Sequence, residues 1–153
     1  MSEGAFTLDY ESLKAFCDRQ GLAYFTNDAL DQIAIPRPDR RGWALRLVPR
    51  PEKGMLTIAY PLPGHIPQER MAALAASANL MNARTFMGAW VVNWETSEMY
   101  FRETVPTQGV EYTDDSVREL LQIVIGTVEL MVPRLDAVLK GAEPEAVLEE
   151  SNA

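Results

Sequence analysis

The chain has 153 residues, of which 47% are hydrophobic and 24% charged, a composition typical of one folded domain and not of a disordered segment. Its formal net charge of −8 repels a phosphate backbone, so nucleic acid is not an expected partner. The sequence has no signal-peptide pattern and no apolar run of the about 18 residues that would predict a membrane span, and its lone Cys17 favours a reducing compartment, so we expect a cytoplasmic protein.

A helix is predicted at the start of the chain. Apolar residues recur at helical spacing between Tyr10 and Cys17, Thr7 is a suitable N-cap, and Gly21 can adopt the left-handed conformation that ends a helix. The single apolar stripe that results predicts that one side of this helix lies on the rest of the domain.

Three strands follow, because the apolar pattern changes to a period of two. Ile33 and Ile35 predict the first strand, and residues 43–48 and 55–60 predict the second and third. We expect the second and third strands to form an antiparallel hairpin with Leu47 opposite Leu56, since this pairing buries the same face of both strands.

A basic segment lies between the first strand and the end of the second. Its arginines are Arg37, Arg40, Arg41, Arg46 and Arg50. Prolines and a glycine interrupt the segment, and Trp43 is its single aromatic neighbour. We interpret the arginines as a solvated loop and strand rim, with nucleic-acid binding as the alternative.

A second helix and a second hairpin come next. Pro67 suits the first position of a helix whose buried side includes Met71 and Leu74. The hairpin is predicted to close around Thr96 with Trp94 opposite Met99. The three tryptophans of the chain all alternate within predicted strands, so we interpret them as core residues.

Half-apolar positions on this second hairpin point away from the predicted core. They are Val91, Asn93, Tyr100 and Arg102. We expect them to contribute to a protein-interaction surface, because apolar side chains exposed on a sheet mark an interface. The alternative is a solvated sheet surface that carries a few apolar residues.

The last helix has the most regular pattern, with apolar residues spaced alternately by four and three from Val117 to Val138 and with Thr113 as N-cap. Gly141 is expected to end it. We therefore assign residues 1–141 to a single domain and residues 142–153 to an acidic C-terminal tail that can form a short helix. The predicted order is helix, three strands, helix, two strands, helix, an α+β domain whose antiparallel sheet has its helices mainly on one face.

Several stretches resemble the YbjN-type domain. They are P-Q-E-R at residues 67–70, A-N-L-M-N-A-R at 78–84, Y-F-R at 100–102, E-L-M-V-P-R-L at 129–135 and G-A-E-P-E-A at 141–146. The resemblance extends from the first strand to the tail. It implies a fold similar to that of type III secretion chaperones and a chaperone-like or adaptor-like binding of a client protein, commonly as a homodimer and without chemistry.

No catalytic, cofactor-binding or metal-binding residue is predicted. His65 is the only histidine and has no neighbouring ligand pattern, and no nucleophile, zinc, phosphate-loop or dinucleotide motif is present. The alternative function is a small-ligand sensor or an undetected enzyme with a pocket between the sheet and the helices. For that function the sequence offers only His65, Tyr112 and scattered acids.

Overall fold

The structure, a computed structural model, describes residues 4–148. The helices and strands are α1 (Tyr10–Arg19), β1 (Phe25–Asn27), β2 (Gln32–Pro36), β3 (Ala44–Arg50), β4 (Met55–Pro61), α2 (Met71–Asn82), β5 (Ala89–Asn93), β6 (Glu98–Pro106) and α3 (Asp114–Leu139). The predicted α+β order is confirmed. The short strand β1 is an addition, and its three exposed residues have no apolar alternation by which a pattern could indicate it.

The strands form one antiparallel sheet in the order β1-β2-β3-β4-β6-β5. Strand β6 lies beside β4, where Tyr60 is opposite Phe101 and Ile58 is opposite Glu103. This pairing joins the two predicted hairpins into a continuous sheet and places β5 at its edge.

One face of the sheet is buried beneath all three helices. The strands contribute the following buried residues to this core: Ile33, Ile35, Leu45, Leu47, Leu56, Ile58, Tyr60, Trp90, Met99, Phe101 and Val105. Leu13 of α1, Leu74 of α2 and Val124 of α3 are fully buried against it. Because successive strand residues point to opposite faces, the alternate positions form a second face, which no helix of residues 4–148 covers.

The hairpin of β3 and β4 differs from the predicted register by two residues. Leu47 lies opposite Ile58, not Leu56. The reason is that β3 continues to Arg50, so the chain reverses in a short 3-10 helix, Pro51–Lys53, followed by Gly54 in the left-handed region (φ 62°). A shift of two leaves the buried face unchanged, because side chains alternate with a period of two.

The predicted register of the second hairpin was also wrong by two residues, and Trp94 is not a core residue. Met99 lies opposite Val92, and Trp94 occupies the turn with 55% of its surface exposed. The side-chain oxygen of Asn93 accepts hydrogen bonds from the backbone N–H groups of Glu95 (3.0 Å) and Thr96 (3.3 Å), which starts the turn one residue earlier than the alternation indicates.

The other two tryptophans contact the core, as predicted. Trp90 is buried, and the half-buried Trp43 meets the ring of Tyr60 edge-on with centroids 5.5 Å apart.

Helix α1 begins later than predicted. Its N-cap is Asp9, whose carboxylate accepts the N–H of Ser12 at 2.8 Å, and not Thr7. Phe6 exchanges two backbone hydrogen bonds with Tyr112 (2.7 and 2.8 Å), which holds the chain extended just before Thr7. The predicted N-cap of α3, Thr113, forms a capping box with Ser116.

The segment after α3 lies against α2 and α3. Its residues Pro144–Leu148 form a 3-10 helix in which Val147 is buried. The guanidinium of Arg70 donates to the carbonyls of Val138 and Ala142 at the end of α3, and Arg134 donates to the carbonyl of Val147 at 3.0 Å. The rest of the predicted tail, residues 149–153, lies outside the described residues.

The edge of the sheet at β5 is closed by a side chain. Asn82, at the end of α2, donates from Nδ2 to the carbonyl of Trp90 (2.9 Å) and accepts the Trp90 N–H at Oδ1 (2.7 Å). The amide therefore occupies the hydrogen-bonding positions that a neighbouring strand would use.

We predict that Asn82→Ala lowers the free energy of unfolding by about 1–3 kcal/mol, because the N–H and C=O of Trp90 lose their partners in a partly buried position. Urea denaturation measures the change. Asn79→Ala, on the exposed side of the same helix, is the matched control and should change stability by less than about 0.5 kcal/mol. Equal losses of unfolding free energy in the two variants would show that the hydrogen bonds between Asn82 and Trp90 do not stabilise the fold.

Candidate protein-interaction face

The uncovered side of the sheet, called the open face below, is formed by the outward-pointing residues of β2 to β6. Its members are Gln32, Ala34, Ala44, Arg46, Val48, Arg50, Thr57, Ala59, Pro61, Ala89, Val91, Asn93, Glu98, Tyr100, Arg102 and Thr104. All of these residues are half-buried or exposed. A shallow groove of about 290 Å³ runs across the face from Gln32 to Asn93.

The structure places all four predicted interaction residues on this face. Val91 lies directly opposite Tyr100 on the neighbouring strand, and Asn93 lies opposite Glu98. Arg102 lies opposite Ala89 and is exposed, whereas the other three residues are half-buried. Their role in binding stays a prediction, and the side-chain oxygen of Asn93 also has the structural duty of forming the turn.

Two arginines of the basic segment belong to the same face, which the sequence interpretation missed. Arg46 and Arg50 point outward from β3. Arg46 lies opposite Ala59 on β4, and Ala59 lies opposite Arg102 on β6, so one residue separates two arginines in a row across the sheet. The pairing of β4 with β6 is needed to see this, and it joins residues that are far apart in sequence.

Two other arginines of the segment have a structural role. Arg37 and Arg40 both lie near Oε1 of Glu129 on α3, at 3.6 and 3.4 Å, and the hydroxyl of Tyr60 lies 3.5 Å from the same oxygen. This partly buried cluster connects the β2–β3 loop to α3. Burial, and then the negative charge of Glu129, raise the pKa of Tyr60.

The residues available for chemistry do not converge. His65 is exposed and its Nδ1 lies 3.1 Å from the carbonyl oxygen of Thr96, while the hydroxyl of Tyr112 donates to the carbonyl of Pro106 at 2.6 Å. Burial raises the pKa of the Cys17 thiol to about 11, so this side chain is neutral at physiological pH.

A depression of about 560 Å³ lies between the start of α1 and the turn after β3. Neither His65 nor Tyr112 lines it; its lining residues include Asp9, Tyr10 and Gln108. Over residues 4–148 no group of three or more histidine, cysteine or acidic side chains could hold a metal ion. None of the helices in that described part of the chain combines the length and apolar character that a membrane crossing requires.

The sequence matches the model of the YbjN family, described as "Putative bacterial sensory transduction regulator", over residues 9–137. The chain belongs to the YbjN family. The resemblance noted from the sequence is thus confirmed. No curated protein matches the sequence at a significant level.

Two solved structures are similar to this chain, and the first shares its fold. The crystal structure of "YbjN, a putative transcription regulator from E. coli" matches with a TM-score of 0.65 and 12% identity, covering 90% of this chain and 93% of the other. A chain of the "HopA1-SchA Chaperone-Effector Complex" matches with a TM-score of 0.48 and 18% identity, covering 74% and 88%. At 12% identity, the likeness to the first structure establishes the fold alone.

Beneath the sheet, this YbjN-family chain buries one acid that the sequence did not single out. Glu103 points to the helix-covered side, opposite Ile58, and only 9% of its surface is exposed. Burial raises the pKa of its carboxyl, and a hydrogen bond from the backbone of Thr104 opposes part of that shift.

The raised pKa predicts a pH-dependent stability. The folded state binds the Glu103 proton more tightly than the unfolded state, so this group favours folding at acid pH. The contribution is lost as the pH rises from the ordinary value of 4.5 through the folded-state pKa. We predict that Glu103→Gln is more stable than the wild type at pH 7 and loses less stability between about pH 4.5 and 8. Urea midpoints across this range measure both effects.

Glu119→Gln, at an exposed position of α3, is the control for the loss of one carboxylate. A Glu103→Gln profile parallel to that of the wild type would contradict the assignment of a pH-dependent cost to this buried carboxyl.

Proposed function

We propose that the protein is a non-enzymatic binding domain that holds a client or regulatory partner protein on its open face, in a chaperone-like or adaptor-like role. The observation that carries the proposal is the asymmetry of the sheet: three helices cover one face, and no element of residues 4–148 covers the other. The bare face combines Val91 and Tyr100 with Arg102, and aromatic, aliphatic and arginine side chains together are typical of protein interfaces.

The face is a better partner surface than the edges of the sheet. Asn82 occupies the outward hydrogen-bonding groups of Trp90 on β5, and the strand at the other edge, β1, has three residues. Binding by addition of a partner strand needs a row of free backbone groups, which neither edge offers over a useful length. The open face offers side chains instead.

The reactive residues support a role without chemistry. The Cys17 thiol is buried and protonated, and the hydroxyl of Tyr112 is engaged by a backbone carbonyl. The exposed His65 has the carbonyl of Thr96 as its hydrogen-bonding neighbour. A single unpaired cysteine also suits the reducing cytoplasm, where we propose that the protein works.

Site-specific photo-crosslinking tests the face. We predict that benzoylphenylalanine in place of Tyr100 or Val91, introduced in the native cell, crosslinks to a discrete partner polypeptide that mass spectrometry can identify. The same probe in place of Gln122, exposed on α3, is the control and should not give that product. Crosslinks of equal yield at all three positions, or none at Tyr100 and Val91, would contradict the proposal.

We further propose that the protein is a homodimer that uses its helical side. Leu130 of α3 is 68% exposed and lines a groove of about 230 Å³ together with Thr85 and Trp90, and the next residue after Thr85, Phe86, is fully exposed. Apolar side chains grouped in this way favour association. Pairing through the open face is disfavoured, since it would bring the arginines of two copies together.

Sedimentation equilibrium tests this arrangement. The wild type is expected to be a dimer at micromolar concentrations, and Leu130→Asp should weaken the dimer by about tenfold or more, because it places a charge in an apolar contact. Leu30→Asp is the matched control, since Leu30 is similarly exposed (60%) but lies in the β1–β2 turn. A monomeric wild type would refute the dimer, and equal weakening by the two variants would refute the proposed surface.

A further inference from the structure

The open face carries arginines that no acidic side chain of residues 4–148 pairs with in a salt bridge. Several arginines elsewhere form ion pairs: Arg19 with Asp114, Arg118 with Asp115, and Arg37 with Glu129. By contrast, Arg46, Arg50 and Arg102 have no ion-pair partner among the described residues. Glu98 is the single acid that lines the groove with them, on a chain whose formal net charge is −8.

The two central arginines stand in a row of small residues. Across the sheet the row reads Ala34, Arg46, Ala59, Arg102 and Ala89. The alanines beside the two arginines have short side chains, so the surface between Arg46 and Arg102 is low at Ala59. The two arginines are two strand spacings apart, about 10 Å, and Arg50 lies four residues further along β3 from Arg46, about 13 Å.

We propose that the partner segment bound by the open face is an extended, acidic stretch of polypeptide whose carboxylates pair with Arg46 and Arg102. This inference rests on the proposed protein-binding function and specifies its ligand. In an extended chain, alternate side chains lie on one side and about 7 Å apart. Glutamates at alternate positions can therefore reach both guanidiniums, while the peptide backbone crosses the low floor at Ala59.

A polypeptide fits this surface better than a nucleic acid does. A phosphate backbone carries a negative charge at every nucleotide and would meet Glu98 in the groove. Discrete carboxylates can pair with the guanidiniums in a bidentate geometry and avoid Glu98. A second copy of this chain is a poorer occupant, because its own open face carries the same arginines.

The test is fluorescence anisotropy on the full chain with a labelled peptide of about twelve residues in which glutamate alternates with threonine. We expect this peptide to bind, and its glutamine counterpart to bind at least about tenfold more weakly. Arg46→Glu and Arg102→Glu should each weaken the glutamate peptide by about tenfold or more. Arg41→Glu makes the same change in net charge at an unpaired arginine in the β2–β3 turn, and it should change the affinity by less than about twofold.

Four results would overturn the inference. An equal effect of Arg41→Glu would show that net charge alone matters, and equal binding of the glutamine peptide would show that carboxylates do not. Tighter binding of a single-stranded oligonucleotide of equal charge would assign the face to nucleic acid. Dissociation of the dimer by Arg46→Glu or Arg102→Glu, seen by sedimentation, would assign it to a second copy.

Failure of this inference is distinguishable from failure of the proposed function. If no acidic peptide binds but Tyr100 and Val91 still crosslink to a partner, the face binds a protein of different chemistry. If crosslinking also fails, the binding function itself is wrong. Circular dichroism and thermal melting of each arginine variant should match the wild type, since Arg46 and Arg102 are exposed side chains.

Discussion

The antiparallel pairing of β4 with β6 is the constraint on which the rest of the structure depends. It connects two hairpins that are separated in the chain by α2, and its register sets Tyr60 against Phe101 on the buried side and Ala59 against Arg102 on the other. A slip of one residue would turn every side chain of the second hairpin to the wrong face. The core between the sheet and the helices, and the arginine row on the opposite face of the sheet, are therefore consequences of the same register.

Side chains satisfy backbone hydrogen-bonding groups at the β5 edge of the sheet and at the end of α3. Asn82 closes β5 at Trp90, and Arg70 joins the end of α3 to the segment after it through the carbonyls of Val138 and Ala142. Such bonds matter because an unpaired, partly buried backbone group costs about 1–3 kcal/mol, more than the exposed ion pair of Lys140 with Asp136 contributes. Since β5 is closed at Trp90 and β1 has only three residues, the proposed function assigns the partner to the bare face of the sheet.

Periodicity was enough to predict every helix and strand except the exposed β1, because alternation and helical spacing record which side of each segment meets the core. It did not determine registers, since Leu47 opposite Leu56 or opposite Ile58 buries the same face. The same ambiguity led to the wrong prediction that Trp94 is a core residue. The side chain of Asn93 starts the turn before Trp94, so Trp94 is not part of the strand. Local alternation was enough to assign four residues to one face, namely Val91, Asn93, Tyr100 and Arg102. The alignment of Arg46 with Arg102 through Ala59 depends on the pairing of nonconsecutive strands, which no local pattern contains.

The residues on the two faces of the sheet can also change in sequence independently of each other. The buried face needs apolar residues of about the right volume, and many different sequences meet this requirement. The fold of E. coli YbjN can therefore match this one with a TM-score of 0.65 although the sequences are only 12% identical. The open face contributes little to the core, so its residues can change without loss of the fold. The shared fold requires apolar residues on the helix-covered face, whereas under the proposed function the choice of partner depends on the open face. On the open face of this chain, Arg46 and Arg102 are separated by Ala59. Burial does not require this pattern, and a ligand with paired carboxylates would explain it.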